Sequence, residues 1–323
     1  MRALPRIGIM SLLAVCVAGV SVPSTAQNYP SRPVRIVTGT PGSMMDVVSR
    51  QLASRLGEQW GRTVVVENRG GPGNSSTLVS QSTPDGYTLL VADSTQLSVR
   101  PIILHSLPYD PERDFAPITL IASSPGMLVA HPSVPAGNLV EFIAYAKRQP
   151  GGMDFATGGP WTGGHLTAEL FKRLTGINVV PVNYKGGGAA IAAIVSGETK
   201  AGFNGPFLSL PHVKAGRVKA YAVTSKRRFA GLPEVPTMAE AGAGDLVTTY
   251  WFGLLAPART PRALVERVNR DAVNVLQLSG MKSALLDQGA EPGAGTPQEF
   301  GAFIRSETAR FKKIIEGAGI RAE

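Results

Sequence analysis

Residues 38–50 read TGTPGSMMDVVSR. An apolar run, Val34, Ile36 and Val37, enters a glycine-containing turn, and a helix-like pattern leaves it. This is the layout of an anion-binding turn, where a helix N-terminus presents unpaired amides and a partial positive charge. The nucleotide signatures are missing: no GKS or GKT grips a phosphate, and no G-x-G-x-x-G admits a dinucleotide. Ser43-Met44-Met45-Asp46 is also an ordinary capping box, so one turn alone decides little.

The layout recurs. TGGPWTGGH (157–165) and YKGGGAA (184–190) each follow a strand-like run and precede a helix-like one. In open α/β sheets ligands sit outside the carboxyl ends of strands. Several helix N-termini facing one cleft would hold a carboxylate without any arginine. Around these turns, apolar segments of strand length alternate with segments of helical period. PVRIVTG, TVVVENR, GYTLLVAD, GMLVAHP, MDFATGG, INVVPVNY, KAGFNG and VKAYAVTS read as strands. MMDVVSRQLASRLGEQW reads as a helix, with a stripe of Met44, Val47, Val48, Leu52 and Leu56. Further helices are predicted at 138–147, 163–174, 188–196, 209–215, 261–279, 281–288 and 297–316. Thr237 to Glu240 is a capping box, and Thr260-Pro261 and Thr296-Pro297 place Thr at the cap and Pro at the first helical position.

Repeated β-α units predict an α/β architecture with mostly parallel sheets flanked by helices. PITLIASSPGMLVAHP and TTYWFGLLAPA are long extended stretches, suited to carry the chain twice between two lobes. Lobe one is then 27–123 plus 252–323, and lobe two is 124–251.

Compartment follows from the first 26 residues. Arg2 and Arg6 precede an apolar stretch from Ile7 to about Val22, which ends at Ser24-Thr25-Ala26. This is the pattern of a secretory signal peptide, too short for a stable membrane span. Val15 before Cys16 argues against lipidation. Cleavage after Ala26 removes the only cysteine, leaving no disulfide and no thiol chemistry. The chain beyond it carries 30 basic and 23 acidic residues, scattered rather than clustered. A field attractive to anionic small molecules is the economical reading, with no nucleic-acid partner.

Catalytic signatures are thin. His165 and Glu169 stand four apart, but no third ligand is near and there is no H-E-x-x-H. A helix-start histidine bonding locally is the plainer reading. Ser43 and Ser75 lack a G-x-S-x-G elbow. A secreted hydrolase or lyase using Asp46, Asp93 or His165 is the alternative function. A regulatory effector-binding domain is disfavoured by the leader and by the lack of a helix-turn-helix.

Nearly the whole mature sequence resembles the periplasmic solute-binding proteins of tripartite tricarboxylate transporters, the Bug family. The resemblance runs from YPSRPVRIVTGTPGSMMDVVSRQLASRLGEQWGRTVVVENRGGPGN through GGHLTAELF, PVNYKGGGAAIAAIVSGE and LPEVPTMAEAG to WFGLLAPARTP and TPQEF. It implies a two-lobed, class-two periplasmic binding protein fold with two crossing segments, and a small organic carboxylate in the interlobe cleft. It implies a monomer that needs no cofactor and meets the membrane subunits of a tripartite transporter, or a sensor protein. Carried over, one end of the ligand meets Thr40, Pro41, Gly42, Ser43 and Asp46, mainly through backbone groups and water. Asp93, Ser94, Thr95 and Gln96 form a further wall. The other lobe contributes Thr157, Gly158, Trp161, Thr162, Gly163, Lys185, Gly187 and Asn204. Two departures stand out. Ser43 replaces a glycine, which adds a donor and narrows the space for water. Asn204 often has an acidic counterpart, so an amino group on the ligand is disfavoured.

Overall fold

The computed structural model describes residues 29–71, 73–104 and 106–317. The predicted leader, with Cys16, lies outside the described residues. β1 (Val34–Thr38), α1 (Met44–Trp60), β2 (Val64–Asn68), α2 (Asn74–Ser80) and β3 (Thr88–Asp93) come first. A π-helical turn, Thr95–Val99, runs into α3 (Arg100–Ile103) and β4 (Phe115–Pro125). The middle of the chain holds β5 (Met127–Ala130), α4 (Leu139–Lys147), β6 (Met153–Thr157), α5 (Gly163–Thr175) and β7 (Val179–Asn183). It continues with α6 (Gly187–Ser196), β8 (Ala201–Asn204), α7 (Pro206–Lys214) and β9 (Lys219–Val223). β10 (Thr249–Pro257), α8 (Arg262–Gln277), α9 (Ser279–Asp287), β11 (Glu291–Pro292) and α10 (Pro297–Gly317) follow.

Two sheets result, ordered β11-β4-β10-β3-β1-β2 and β7-β6-β8-β5-β9. β1 pairs in parallel with β2 and β3, and β6 with β7 and β8. The remaining pairs are antiparallel. The sheets are therefore mixed, and the predicted parallel character holds only for the βαβ half of each. The reason is the pair of crossing strands. β4 and β10 run antiparallel along their whole length, and β4 passes through Gly126 directly into β5 of the other sheet.

Each sheet is buried on both faces, which explains its near-continuous apolar strands. Alternate residues of β1 and β3 enter different clusters. Val34, Ile36, Leu89 and Val91 pack with α1, α8 and α9, while Val37, Leu90 and Ala92 pack with α2 and α10. This is the two-residue period of a pleated strand. In the second lobe, Phe155 and Phe203 face α4 and α5, and Met127 and Ala156 face α6. α10 spans both lobes. Phe300 lies under Trp251, while Phe311 and Ile315 reach Leu166 of α5. No helix among the described residues is long and apolar enough to cross a membrane.

Local differences from the sequence reading have physical causes. α2, with four Ser and Thr residues in its seven, has weak helix propensity, so no periodic signal announces it. Thr237 and Glu240 exchange the expected reciprocal bonds, at 2.8 and 3.1 Å, but close a turn rather than a helix. Thr296 and Glu299 do the same at the start of α10. Pro261, not Thr260, is the cap of α8, and the Thr260 hydroxyl is buried without a hydrogen-bond partner.

Phe142 sits at the centre of the second lobe's aromatic cluster, 4.9 Å from Tyr221 and 6.2 Å from Phe155 between ring centroids. Phe142→Ala is expected to cost about 3–5 kcal/mol of unfolding free energy. Urea titration of the variant checks this, and a loss well under about 1 kcal/mol would remove Phe142 from the core.

Candidate functional site

The first turn of an α-helix cannot pair its own amides, so the residues before it decide what those amides face. In α1, Ser43 is the cap, and its hydroxyl accepts from Asp46 N at 3.3 Å and donates to Thr40 O at 2.7 Å. The serine that replaces a glycine is thus committed to the turn and adds no free donor. Gly42 takes φ of 71°, a left-handed conformation, and its N–H donates to Asp46 Oδ2 at 2.9 Å. Asp46 Oδ1 accepts from Asn68 Nδ2 at 2.8 Å and from Arg50 at 3.0 Å. Burial raises the Asp46 pKa, but the Asn68, Gly42 and Arg50 donors outweigh it and hold the carboxyl below its ordinary value. Asp46 therefore braces the turn. The amides left for a ligand are those of Met44 and Met45.

At the end of β3, Asp93 accepts from Gln96 N at 2.9 Å. Burial pushes its carboxyl above the ordinary value, against the Gln96 amide and the Arg100 charge. Ser94 is buried and Thr95 is half-buried. The π-helical turn places Gln96 against three elements. Its Oε1 accepts from Ser75 at 3.1 Å and Ser76 at 2.7 Å on α2, and its Nε2 lies 3.7 Å from Met45 Sδ. Turns of this kind recur at functional sites. The N-termini of α1 and α2 and the β3 end thus meet in the first lobe.

In the second lobe, Thr157, Gly158, Gly187 and Asn204 come together at the ends of β6 and β8 and the start of α6. Thr157 is buried and donates to Asn183 Oδ1 at 2.7 Å. A Cβ on Gly158 would lie 3.0 Å from Gly187 N, and one on Gly187 would lie 3.7 Å from Asn204 Oδ1. Asn204 is 5% exposed, and its Nδ2 has no protein acceptor. Thr162 caps α5, with its hydroxyl donated to Gly159 O at 2.8 Å, so the amides of Gly163, Gly164 and His165 stay unpaired. A Cβ on Gly163 would collide with the Tyr250 ring, so only glycine lets α5 start this close to β10. Lys185 is exposed on the rim.

Trp161 links the two lobes. It packs against the cluster of Val99, Ile103, Leu166, Phe311 and Ile315, which draws on both lobes. His165 bonds locally, accepting from Trp161 N through Nδ1 at 3.0 Å, as a helix-start histidine was expected to. Asn68 and Tyr250 escaped the sequence reading. Asn68 ends a parallel strand, as Thr38 and Asp93 do, and that position was the available signal. Tyr250 sits inside the crossing segment, against Gly126, Gly163 and Gly205. Burial pushes its hydroxyl up to about 12, and the hydroxyl lies beside Thr167 without completing a hydrogen bond of normal geometry.

The model of the tripartite tricarboxylate transporter family receptor, TctC, matches residues 48–320. The chain belongs to this receptor family. BugT of Bordetella pertussis is 34% identical over 324 residues, covering 99% of this chain and 98% of BugT. An R. palustris protein solved with adipate superposes with a TM-score of 0.85 at 31% identity, over 91% of this chain and 100% of that one. MatC from Rhodopseudomonas palustris, solved with bound malate, gives 0.80 at 27% identity, over 89% and 100%. The family's members are solute-binding receptors, not enzymes, so the hydrolase or lyase alternative is set aside.

Asp46→Asn is expected to remove about 2 kcal/mol of stability at pH 7, the order of a lost charge-assisted hydrogen bond. The folded carboxyl is depressed, so its contribution is present above the unfolded value and lost as pH falls through the folded one. The gap between wild type and variant should therefore close below about pH 4. Urea midpoints measured across the acid range check this, and parallel pH curves would show that the carboxylate does not brace the turn.

Proposed function

We propose that the chain is a monomeric periplasmic receptor that captures a small organic carboxylate between its lobes and presents it to the membrane subunits of a tripartite transporter. One observation carries the reading. α1, α5 and α6 all begin at the carboxyl ends of parallel strands, with glycine in the first turn of α5 and α6 and the Met44 and Met45 amides left unpaired in α1. On this reading Met44 and Met45 N–H hold one end of the ligand, beside the Thr40 to Ser43 turn and the Asp93 to Gln96 wall. The amides of Gly163 to His165 and Gly187 to Ala189 hold the other, with Asn204 Nδ2 as the side-chain donor and Lys185 at the rim. On this reading the lobes divide at Gly126 and between Val223 and Thr249, where the chain passes from one sheet to the other. Adipate and malate in the related structures fit such a donor-rich cleft.

The energetics are adequate. Micromolar binding corresponds to about −8 kcal/mol. Charge-assisted bonds of about 1.5–3 kcal/mol each from a few amides, with some apolar burial, supply it. A thermal-shift panel of mono- and dicarboxylates is the direct experiment, since a ligand at a hundredfold over its Kd adds about 2.7 kcal/mol. A shift by no carboxylate would overturn the reading.

Gly158→Val places a branched side chain against Gly187 N and is expected to weaken binding at least about tenfold while unfolding stays cooperative. Calorimetric affinity equal to wild type would remove this turn from the site. Asn204→Asp should shift the ligand ranking toward compounds that carry an amino group, because a buried carboxylate needs a cationic partner. An unchanged ranking in the same panel would remove Asn204 from specificity.

A further inference from the structure

The backbone of Trp161 is hydrogen-bonded to an imidazole one turn along the chain. Trp161 has φ of 58°, the only positive value on a residue other than glycine among the described residues. For a bulky L side chain this region is a genuine outlier and persists only where the surroundings over-determine it. Two contacts do so here. The half-buried indole packs against the cluster of Val99, Ile103, Leu166, Phe311 and Ile315, and the backbone N–H is donated to His165 Nδ1 at 3.0 Å. His165 occupies the third position of α5, and its ring lies 5.4 Å from the indole.

We propose that His165 is a positioning residue for ligand binding: neutral, it anchors the strained Trp161 backbone and so fixes the α5 amides against the first lobe, and protonated, it lets them go. The inference rests on the reading that the first turn of α5 holds carboxylate. Its chemistry is elementary. Nδ1 accepts a hydrogen bond only in the neutral imidazole, whereas the imidazolium donates from both nitrogens. Proton uptake would therefore turn the acceptor into a donor aimed at an amide N–H.

The charged and titratable surroundings leave this switch to His165. Burial lowers its pKa, and Glu169, one turn along α5, opposes that weakly. On β10, Tyr250 stays un-ionised near neutrality, with its hydroxyl pushed up to about 12. Arg100 on α3 acts on Asp93 and Tyr109, and Arg310 on α10 is paired with Glu307 and with Val247 O. Since the folded pKa is depressed, the anchor is intact at neutral pH and is lost only as pH falls through a value below that of a free imidazole.

Two variants separate anchoring from mere packing. His165→Ala deletes the acceptor, whereas His165→Asn keeps an oxygen near the Nδ1 position that does not titrate. The chain has three tryptophans, so 5-fluorotryptophan labelling gives three fluorine signals, and Trp161→Phe assigns one. In the ligand-free wild type the Trp161 signal is expected to titrate as pH falls below the free-imidazole range, and in His165→Asn to stay fixed. With adipate as probe, His165→Ala should weaken binding at about pH 7.5 at least about fivefold, with His165→Asn within about twofold of wild type. Lowering the pH to about 5.5 should weaken binding to wild type more than to His165→Asn. A Trp161 signal that does not titrate in wild type, or titrates equally in His165→Asn, would overturn the proposal. So would an Asn variant as weak as the Ala variant. If no carboxylate binds any of these proteins, the carboxylate reading fails, while the fluorine titration still decides the anchor.

Discussion

An α-helix cannot satisfy its first amides from within, and the rest of this molecule is arranged around that fact. Parallel strands send every following helix back from the same edge of the sheet, so the unpaired ends collect on one side. In each lobe the chain then has to do something with them. At α1 it fastens the turn with Asp46 and Asn68 and leaves two methionine amides outward. The caps of α5 and α6 are Thr162 and Gly186, and neither gives a side-chain capping bond. Aligned peptide dipoles make such ends favourable to negative charge, by about 0.3–1 kcal/mol each when exposed and more when enclosed.

The two halves stay in register because the crossing strands are tied to each other. Gly126 is the single residue between β4 and β5. Its N–H donates to Thr224 Oγ1 at 2.8 Å, and that hydroxyl donates to Thr248 O at 2.6 Å. Thr224 is fully buried, so both passages between the lobes are joined at one dry point. Ser124 adds a second tie, donating to Gly289 O at 2.6 Å, and the Gly289 turn packs on Pro206 of α7. Rotation of one lobe against the other must leave these bonds standing or exchange them together.

Much of the architecture was legible because strong local signals agree with it. The stripe of Met44, Val48, Leu52 and Leu56 gives α1 to the residue, since Ser43 caps one end and Gly61 the other. β1 and β3 were legible as buried strands because both faces are covered. What escaped are features set by tertiary contact. α2 is helical because Ser75 and Ser76 find Gln96, not because its residues favour helix. The antiparallel halves of the sheets follow from where the crossing strands lie, which no local pattern encodes. The glycine turns of the proposed site were legible at the ends of predicted strands. The internal use of Asp46, Ser43 and Gly42 was not, because a residue type cannot say which partner its hydrogen bond will take.

Using peptide amides rather than arginines has a consequence for exchange. An arginine–carboxylate pair enclosed by two lobes carries a large desolvation penalty and a large Coulomb term, and breaking it leaves a buried charge. Amides fixed by a helix are neutral and preorganised. They stabilise a carboxylate by several modest bonds and leave no net charge behind when it departs. On the proposed reading, opening the lobes would separate the amides of α1 from those of α5 and α6, leaving fewer bonds to the anion from either lobe alone. A receptor that must bind at low concentration and then surrender its load needs this divided set. The excess of basic over acidic residues beyond the leader, 30 against 23 and scattered along the sequence, favours the approach of anions.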